Sequence, residues 1–452
     1  MTIWMKRQYR FKLSCENLTW IAVVLGVILR IWEYLEFRAL YMDESSLLKN
    51  LVGKSIFDFH GVLEQDQMAP PGFLVIERLM VRLPLEVSAA GRLVPLVCGV
   101  ASVFLMRLVA RRYLDRRAVP IAVALLALGD HLLYYSAEIK QYSCDLALAL
   151  AALALAAPQP PTESKTDWRW DELWADRPAA PKLPAELIRR RVRALFLFGL
   201  VAPWFSFPVV FVLAGVGLHL LFIEVARRGW RKAAIVAGMG LAWLASFGGC
   251  FLLSRSILSK RDFIWVWWNF AFLPIPPRSW ADVTHLGETL ANVFINPGSL
   301  LSPLSYLWTA LVASLLALVG CVSLGRRWPG GLFLVISPLL CALAASGLHQ
   351  YPFHGRLLLY LVPTFLLLPA EGMAALGRCT GWPVTLVLAG FFLYGQAGEI
   401  VWHKAIQARA RPFDTHGDLK NDLLDDLDMQ RYWKQMRLQR AIPPTSAEKT
   451  SP

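Results

Sequence analysis

Apolar stretches of roughly 20 residues, the length that crosses a bilayer core about 30 Å thick, recur along the whole chain. Inside a bilayer every backbone polar group must be satisfied within the protein, which leaves helices and closed barrels as the spanning structures. Barrel strands would alternate apolar and polar residues over stretches of about 10 residues. The long apolar stretches therefore predict an all-α integral membrane protein.

The composition agrees with this prediction. Of the 452 residues, 56% are apolar and 17% are charged, whereas an average soluble domain has about 25% charged residues. A net charge of +13 would suggest nucleic acid as the partner of a soluble protein, but here Arg and Lys cluster between apolar segments, where they set topology. We therefore expect the lipid bilayer as a partner and no nucleic acid. The seven cysteines have no CxxC motif and no paired spacing, and so indicate neither disulfides nor metal.

The positions of the basic residues predict an orientation. Lys6, Arg7, Arg10 and Lys12 precede the first apolar segment, about Leu18 to Phe37, and place the N-terminus in the cytoplasm by the positive-inside rule. No small-residue cleavage site follows this segment, so we expect an uncleaved first helix. Continuing along the chain predicts about 11 transmembrane helices, with the C-terminus outside.

This count assigns the loops to the two sides of the membrane. Loops 39–84 and 254–302 are expected outside, and the Pro-rich segment 158–193 is expected to be a flexible cytoplasmic loop. Residues 1–402 then form one polytopic domain. Residues 403–452 form a short polar tail on the outer face, too small to build a core of its own.

Ionisable residues also divide by side. Inside they are mostly Arg and Lys near the ends of spans, whereas acidic residues with neighbouring aromatics and prolines gather outside. A transporter would more often bury charge within its spans. Arg30 and Glu33, three residues apart on one face of the first span, are the candidates for such a role, and they can equally pair with each other or with the next helix.

Two polar clusters in the first outer loop could carry chemistry. Asp43 and Glu44 follow the first span, where two adjacent carboxylates can bind a divalent metal or deprotonate an acceptor hydroxyl, or can simply form a solvated helix end. Further along, Asp66 and Gln67 lie in an acidic stretch that runs into Pro70-Pro71, a rigid pair that favours a helix start.

The order of these features, followed by a Tyr-Ser-x-Glu-x-x-x-Tyr turn at 135–142, resembles the polyprenyl-phosphate-sugar-dependent glycosyltransferases of the GT-C class. Within that class the chain looks most like family 39, the protein O-mannosyltransferase and aminoarabinose-transferase group. The resemblance covers residues 20–157 best, and residues 351–363 supply a second matching block. The family often has His before the Pro-Pro, and Arg where this chain has Lys140.

The resemblance implies a GT-C-like helical bundle with juxtamembrane helices on the outer face, and it suggests roles for individual residues. Asp43 corresponds to the first-loop acid, a general base or metal ligand, with Glu44 beside it, and Glu138 corresponds to the second-loop acid. Asp66 and Gln67 fall in the loop expected near the acceptor. A divalent metal ion stays open as a cofactor, with Asp43 and Glu138 as its ligands.

Inverting transfer also needs positive charge near the departing lipid phosphate. Arg356 could supply it, since guanidinium grips phosphate in a fork, and His354 and Lys140 are lesser candidates. The alternative for Arg356 is an arginine that snorkels to the membrane interface.

The sequence thus predicts a cell-membrane enzyme with an extracytoplasmic active site. It would transfer a hexose- or pentose-type sugar, with inversion, from a polyprenyl-phosphate donor to a protein, lipid or glycan acceptor. Loop 158–193 has no phosphate-cradling Gly motif, which argues against a nucleotide-sugar donor used inside. The alternatives are a multi-pass transporter or lipid-linked-sugar flippase, and a non-catalytic membrane scaffold.

Overall fold

A computed structural model describes residues 14–36, 38–55, 58, 62–65, 67–157, 185–254, 265–266 and 268–410. All regular secondary structure in these ranges is helical. The chain divides into two compact units, residues 1–400 and residues 401–452, and the features described below lie in the first unit. Most of the polar loop 158–193 and of the tail 403–452 lies outside the described residues.

The α-helices follow one another in this order: α1 (Cys15–Leu35), α2 (Met42–Gly53), α3 (Pro71–Met80), α4 (Val87–Gly91), α5 (Leu93–Tyr113), α6 (Ala118–Ala127), α7 (Asp130–Tyr135), α8 (Tyr142–Ala156), α9 (Ala185–Val201), α10 (Val209–Ala226), α11 (Trp230–Leu253), α12 (Trp280–Asn292), α13 (Tyr306–Arg327), α14 (Pro329–Gly347), α15 (Val362–Thr380) and α16 (Trp382–Ala410). Short 3-10 segments occur at Ala202–Trp204, Asn269–Ala271 and Gly355–Leu361.

Among the described residues, eight helical stretches are long and apolar enough to cross a membrane. They are α1, α4 with α5, α10, α11, α13, α14, the 3-10 segment with α15, and most of α16. The sequence predicts about 11 spans, and the remaining three segments coincide with α6, α8 and α9, which have 10, 15 and 17 residues. The all-helical, multi-pass membrane fold is confirmed, and its number of spans stays a prediction.

The sequence predicts a third span from Ala118 to about Tyr135, but in the structure this stretch is broken between α6 and α7. A buried arginine binds the last carbonyls of α6 at the break. The fully buried guanidinium of Arg30 on α1 donates to the carbonyl oxygens of Leu126 at 3.1 Å and Ala127 at 3.4 Å, and to Gly26 within its own helix at 3.0 Å. The last carbonyls of a helix lack partners within the helix. Arg30 donates the missing hydrogen bonds to the last carbonyls of α6. This favours a structural role for the buried arginine over a role in transport.

Helices α13 and α15 cross in backbone contact. A Cβ atom added to Gly320 would lie 1.9 Å from the carbonyl oxygen of Leu368, and one added to Gly372 would lie 2.0 Å from that of Leu316. Small residues let membrane helices approach closely where the hydrophobic effect contributes little to their association. The contact holds α15, the most buried of the eight spans, in the centre of the bundle.

One end of the bundle is closed by a charged network around Glu371 of α15, which is fully buried. Arg327 Nη2 lies 3.1 Å and Arg378 Nη2 3.4 Å from its carboxylate oxygens, and Arg378 Nη1 lies 3.0 Å from Asp115 Oδ2. This is the end at which the basic residues cluster. Helices α5 and α15 run from it to the opposite end, where the predicted site residues lie.

Candidate functional site

Asp43 and Glu44 lie in the first turn of α2. Tyr41 precedes this helix in an extended conformation, and its backbone N–H donates to Glu44 Oε2 at 3.0 Å. The acidic pair therefore begins a second helix, where backbone N–H groups and the helix dipole favour negative charge. The alternative of a solvated end of the first span does not apply to Glu44, because its side chain is fully buried.

Glu44 joins three segments that are distant in the sequence. It accepts from Arg38 Nη1 at 2.8 Å, from Arg92 Nη2 at 3.3 Å and from the backbone N–H of Ile139 at 3.0 Å. Both carboxylate oxygens are thus occupied. We interpret Glu44 as a structural residue that holds the loop after α7 against α2 and the start of α5. The resemblance suggests a catalytic role for it instead.

Sequence reasoning missed Arg38. Besides Glu44 it donates to the carbonyl oxygen of Ala137 at 3.1 Å, and its guanidinium lies 4.1 Å from the ring centroid of Tyr134. A signal was available, since an arginine at the predicted outer end of a span departs from the positive-inside rule. Such a departure suggests a specific structural or functional partner.

Asp43 pairs with Arg356, a residue from the other matching block of the sequence. Arg356 Nη2 lies 2.6 Å from Asp43 Oδ2, and the two side chains are 29% and 20% exposed. Gly355 has a positive φ of 45° and turns the chain into the 3-10 segment that carries Arg356. The guanidinium also lies 5.6 Å from the ring centroid of Tyr142. The Arg356 guanidinium therefore takes part in a specific ion pair, which favours this interpretation over an arginine that only reaches the membrane interface. Both side chains are partly exposed, so solvent and ligands can reach them.

Lys140 is buried beside this ion pair, and its ammonium donates a hydrogen bond to the side-chain oxygen of Gln67. Burial lowers the pKa of Lys140, and Asp43 partly opposes the shift. Burial would raise the pKa of Asp43, but the charges of Lys140 and Arg356 outweigh it and hold that pKa below its ordinary value. Asp43 is therefore a carboxylate at neutral pH.

Glu138 lies in the loop after α7 and is 1% exposed. Its Oε2 atom has no hydrogen-bond partner among the described residues. Burial and the negative charge of Glu44 raise the pKa of Glu138 to about 7, against the opposing influence of Arg356 and Lys140. Glu138 is thus the acid of this site that changes charge near neutral pH.

His354 lies outside the charged group, among aromatic rings. Its ring centroid is 5.2 Å from that of Phe270 and 6.2 Å from that of Trp268. Burial, and then the charge of Arg356, lower its pKa. The imidazole is therefore neutral at pH 7 and is a poorer candidate for phosphate charge than Arg356 or Lys140. Asp66, the remaining predicted site residue, lies outside the described residues.

The two predicted metal ligands do not form a ligand set. One oxygen of Asp43 is bound by Arg356, and two cationic side chains lie close to the pair of acids. Across the ranges that the structure describes, no group of three or more His, Cys, Asp and Glu residues is placed to hold a metal ion. A divalent metal ion therefore stays a prediction from the sequence, and we derive no step through one.

The fold and site together define a polytopic helical membrane protein. A partly buried site lies at the end of the bundle opposite the Glu371 network. It consists of two cationic side chains, Arg356 and Lys140, and two acids, Asp43 and Glu138. The site combines two cationic side chains with a partly exposed carboxylate.

No model of a protein family and no curated protein sequence matches the chain. Among solved structures, ArnT from Cupriavidus metallidurans in the apo state matches with a TM-score of 0.45 and 16% identity, over 82% of this chain and 61% of that chain. The Archaeoglobus fulgidus oligosaccharyltransferase crystallised with Zn and sulfate matches with a TM-score of 0.48 and 13% identity, over 84% and 52% of the two chains. The oligosaccharyltransferase AglB from the same archaeon, in complex with an inhibitory peptide and a dolichol-phosphate, matches with a TM-score of 0.48 and 12% identity, over 86% and 55%.

The chain thus spans between about half and three-fifths of the length of these solved proteins.

Proposed function

We propose that the protein is a membrane glycosyltransferase that moves a sugar from a polyprenyl-phosphate donor to an acceptor hydroxyl on the extracytoplasmic face. The observation that carries the proposal is the 2.6 Å contact between Asp43 and Arg356, with Lys140 and Glu138 beside it. A phosphate-binding fork and a carboxylate base are the two groups that inverting transfer from a lipid phosphate requires.

In the absence of donor, the Arg356 guanidinium is held by Asp43. The phosphodiester of a polyprenyl-phosphate sugar carries one negative charge and competes for the same guanidinium. Once Arg356 turns to the phosphate, Asp43 loses its closest positive charge, so its pKa rises and it becomes a better proton acceptor. Donor binding would in this way prepare the base.

The acceptor hydroxyl then attacks the anomeric carbon from the face opposite the phosphate, and Asp43 takes its proton. The new bond joins the acceptor oxygen to the anomeric carbon as the bond from that carbon to the phosphate oxygen breaks, which inverts the configuration. Polyprenyl phosphate leaves with an additional negative charge. Arg356 and Lys140 would stabilise the charge that develops on it.

The proposed orientation rests on the basic end of the bundle. Arg327 and Arg378 lie there with the basic cluster that follows α5, and the positive-inside rule assigns such an end to the cytoplasm. The site at the other end would then be extracytoplasmic, in the multi-pass protein of a cell membrane.

A transporter or flippase would be expected to use the charges within the spans. Arg30 is instead occupied by the carbonyl oxygens of α1 and α6, so its observed role is structural. This favours transfer chemistry at the end of the bundle over transport through it.

The proposal is tested by replacing Asp43. Purified protein in nanodiscs is given a panel of radiolabelled polyprenyl-phosphate sugars, and sugar transfer or donor hydrolysis is measured. Asp43→Asn should lower kcat by roughly 10²- to 10⁴-fold, the usual contribution of a general base. It should not raise the KM for donor, because Arg356 is then free to bind phosphate.

Asp282→Asn makes the same chemical change at an acid of the second outer loop, whose hydrogen bonds are to Arg278 and Ser279, and should leave kcat unchanged. Donor binding without turnover by the wild type, across the whole panel, would instead support the flippase.

A further inference from the structure

Two cysteines that are distant in the sequence meet near the proposed site. Cys98 lies in α5, six residues after Arg92, and Cys144 is the third residue of α8. Their Sγ atoms are 3.3 Å apart, although 46 positions separate the residues in the chain. Because the two cysteines are so far apart in the sequence, their spacing does not indicate that they are neighbours. The sequence analysis therefore predicts no disulfide.

The pair is enclosed by the packing around it. Cys144 is buried in a cluster with apolar side chains of α2 and α3, and Cys98 packs against the same cluster. A disulfide needs an S–S distance of about 2.05 Å. In the structure both cysteines are free thiols, and their sulfur atoms are already in contact at 3.3 Å. Within the described part of the chain, the two cysteines belong to no group of three or more His, Cys, Asp or Glu residues that could hold a metal ion.

We propose that Cys98 and Cys144 are joined by a disulfide in the mature protein. The inference rests on the orientation proposed above, in which this end of α5 and α8 faces the oxidising side of the membrane. The two thiols lose two protons and two electrons as the S–S bond forms. A disulfide of the thiol–disulfide oxidoreductase class accepts them and is reduced to two thiols.

The bond would tie together two parts of the site. Helix α5 follows Arg92, which binds Glu44, and α8 follows the loop that carries Glu138 and Lys140. A covalent link between the helices would hold this loop against the acidic turn of α2 while substrates enter and leave.

Thiol counting tests the disulfide. Cells that express the full chain are lysed in denaturant that contains N-ethylmaleimide, and the mass of the purified protein gives the number of labelled thiols. Five of the seven cysteines should be labelled, and all seven after prior reduction. Cys98→Ser and Cys144→Ser should each release the partner, so that all six remaining thiols react without reductant. Cys321→Ser is the matched control, and four of its six thiols should react.

Seven labelled thiols in the unreduced wild type would overturn the inference. So would a linkage, found by peptide mapping, that joins other cysteines. Either result leaves sugar transfer to be judged by its own assay, because that assay reads product formation by the wild type and not the number of free thiols.

Discussion

At the scale of single residues, the two acids of the site differ through their surroundings. Asp43 is partly exposed and lies against Arg356, whereas Glu138 is enclosed and lies near another carboxylate, Glu44. Opposite charge favours the ionised form of an acid, whereas burial and like charge disfavour it. Asp43 is therefore ionised throughout the physiological range, and Glu138 ionises as the pH passes about 7.

The affinity for donor should consequently depend on pH. Below pH 7 Glu138 is protonated and neutral, so Arg356 and Lys140 present their full positive charge to phosphate. Above pH 7 the Glu138 carboxylate offsets part of that charge, and the Kd for a polyprenyl-phosphate sugar should rise about fivefold, for an interaction of about 1 kcal/mol. The donor's phosphodiester keeps one charge across this range. Titration of donor binding at pH 6 and pH 8 measures the change.

Glu138→Gln mimics the protonated acid. It should bind donor at pH 8 as tightly as the wild type does at pH 6, with the pH dependence removed. Glu64→Gln is the control, since the Glu64 side chain is 78% exposed and its charge is screened by solvent. Retention of the pH effect in Glu138→Gln would show that another group titrates.

At the scale of helices, polar and small residues determine where elements end and how closely they pack. Arg30 supplies partners for the last carbonyls of α6, and Glu44 fastens the loop after α7 to α2. Gly320 and Gly372 permit backbone contact between α13 and α15. Because α15 continues from the segment that carries Arg356, the position of this helix also determines the position of the site's exposed cation.

Gly372→Ala should therefore destabilise the protein. A methyl group at this position would lie 2.0 Å from a carbonyl oxygen of α13, and overpacking of this kind costs roughly 1 to 3 kcal/mol. Gly390→Ala on α16 is the matched control, because nothing lies within 4 Å of its added Cβ atom. Thermal unfolding in detergent should show a lower Tm for the first variant and an unchanged or slightly higher Tm for the second. Equal shifts would contradict close packing at Gly372.

At the scale of the whole molecule, charge separates the two ends of the bundle. The buried Glu371 network and the basic residues lie at one end, and the mixed-charge site lies at the other. The positive-inside rule assigns the basic end to the cytoplasm, and this orientation stays a prediction.

Labelling by a membrane-impermeant maleimide tests that orientation. Cys379 is exposed next to Arg378 at the basic end and should react only after cells are permeabilised. Arg82→Cys, at an exposed position between α3 and α4, should react in intact cells. Peptide mass spectrometry identifies the labelled residue. Labelling of Cys379 in intact cells would reverse the proposed topology.

Much of the fold follows from local sequence properties. Transfer of apolar side chains out of water is additive along a segment, so the spans can be located one at a time. The break within residues 118–135 was missed, since it depends on Arg30 of another helix. Asp43, Glu138, Lys140 and Arg356 were found as candidates from residue type and from the family resemblance, but nothing local indicated which of them touch.

The sequence by itself therefore determined that this protein is a polytopic helical membrane protein, and it predicted the side of the membrane on which its acidic residues gather. Only the tertiary structure decided that Arg356 binds Asp43, that Glu44 is enclosed by Arg38 and Arg92, and that Glu138 is buried. The physical reason is the sequence distance over which each effect acts. Hydrophobicity and the positive-inside rule act on each segment alone, whereas ion pairs and burial depend on which distant segments pack together.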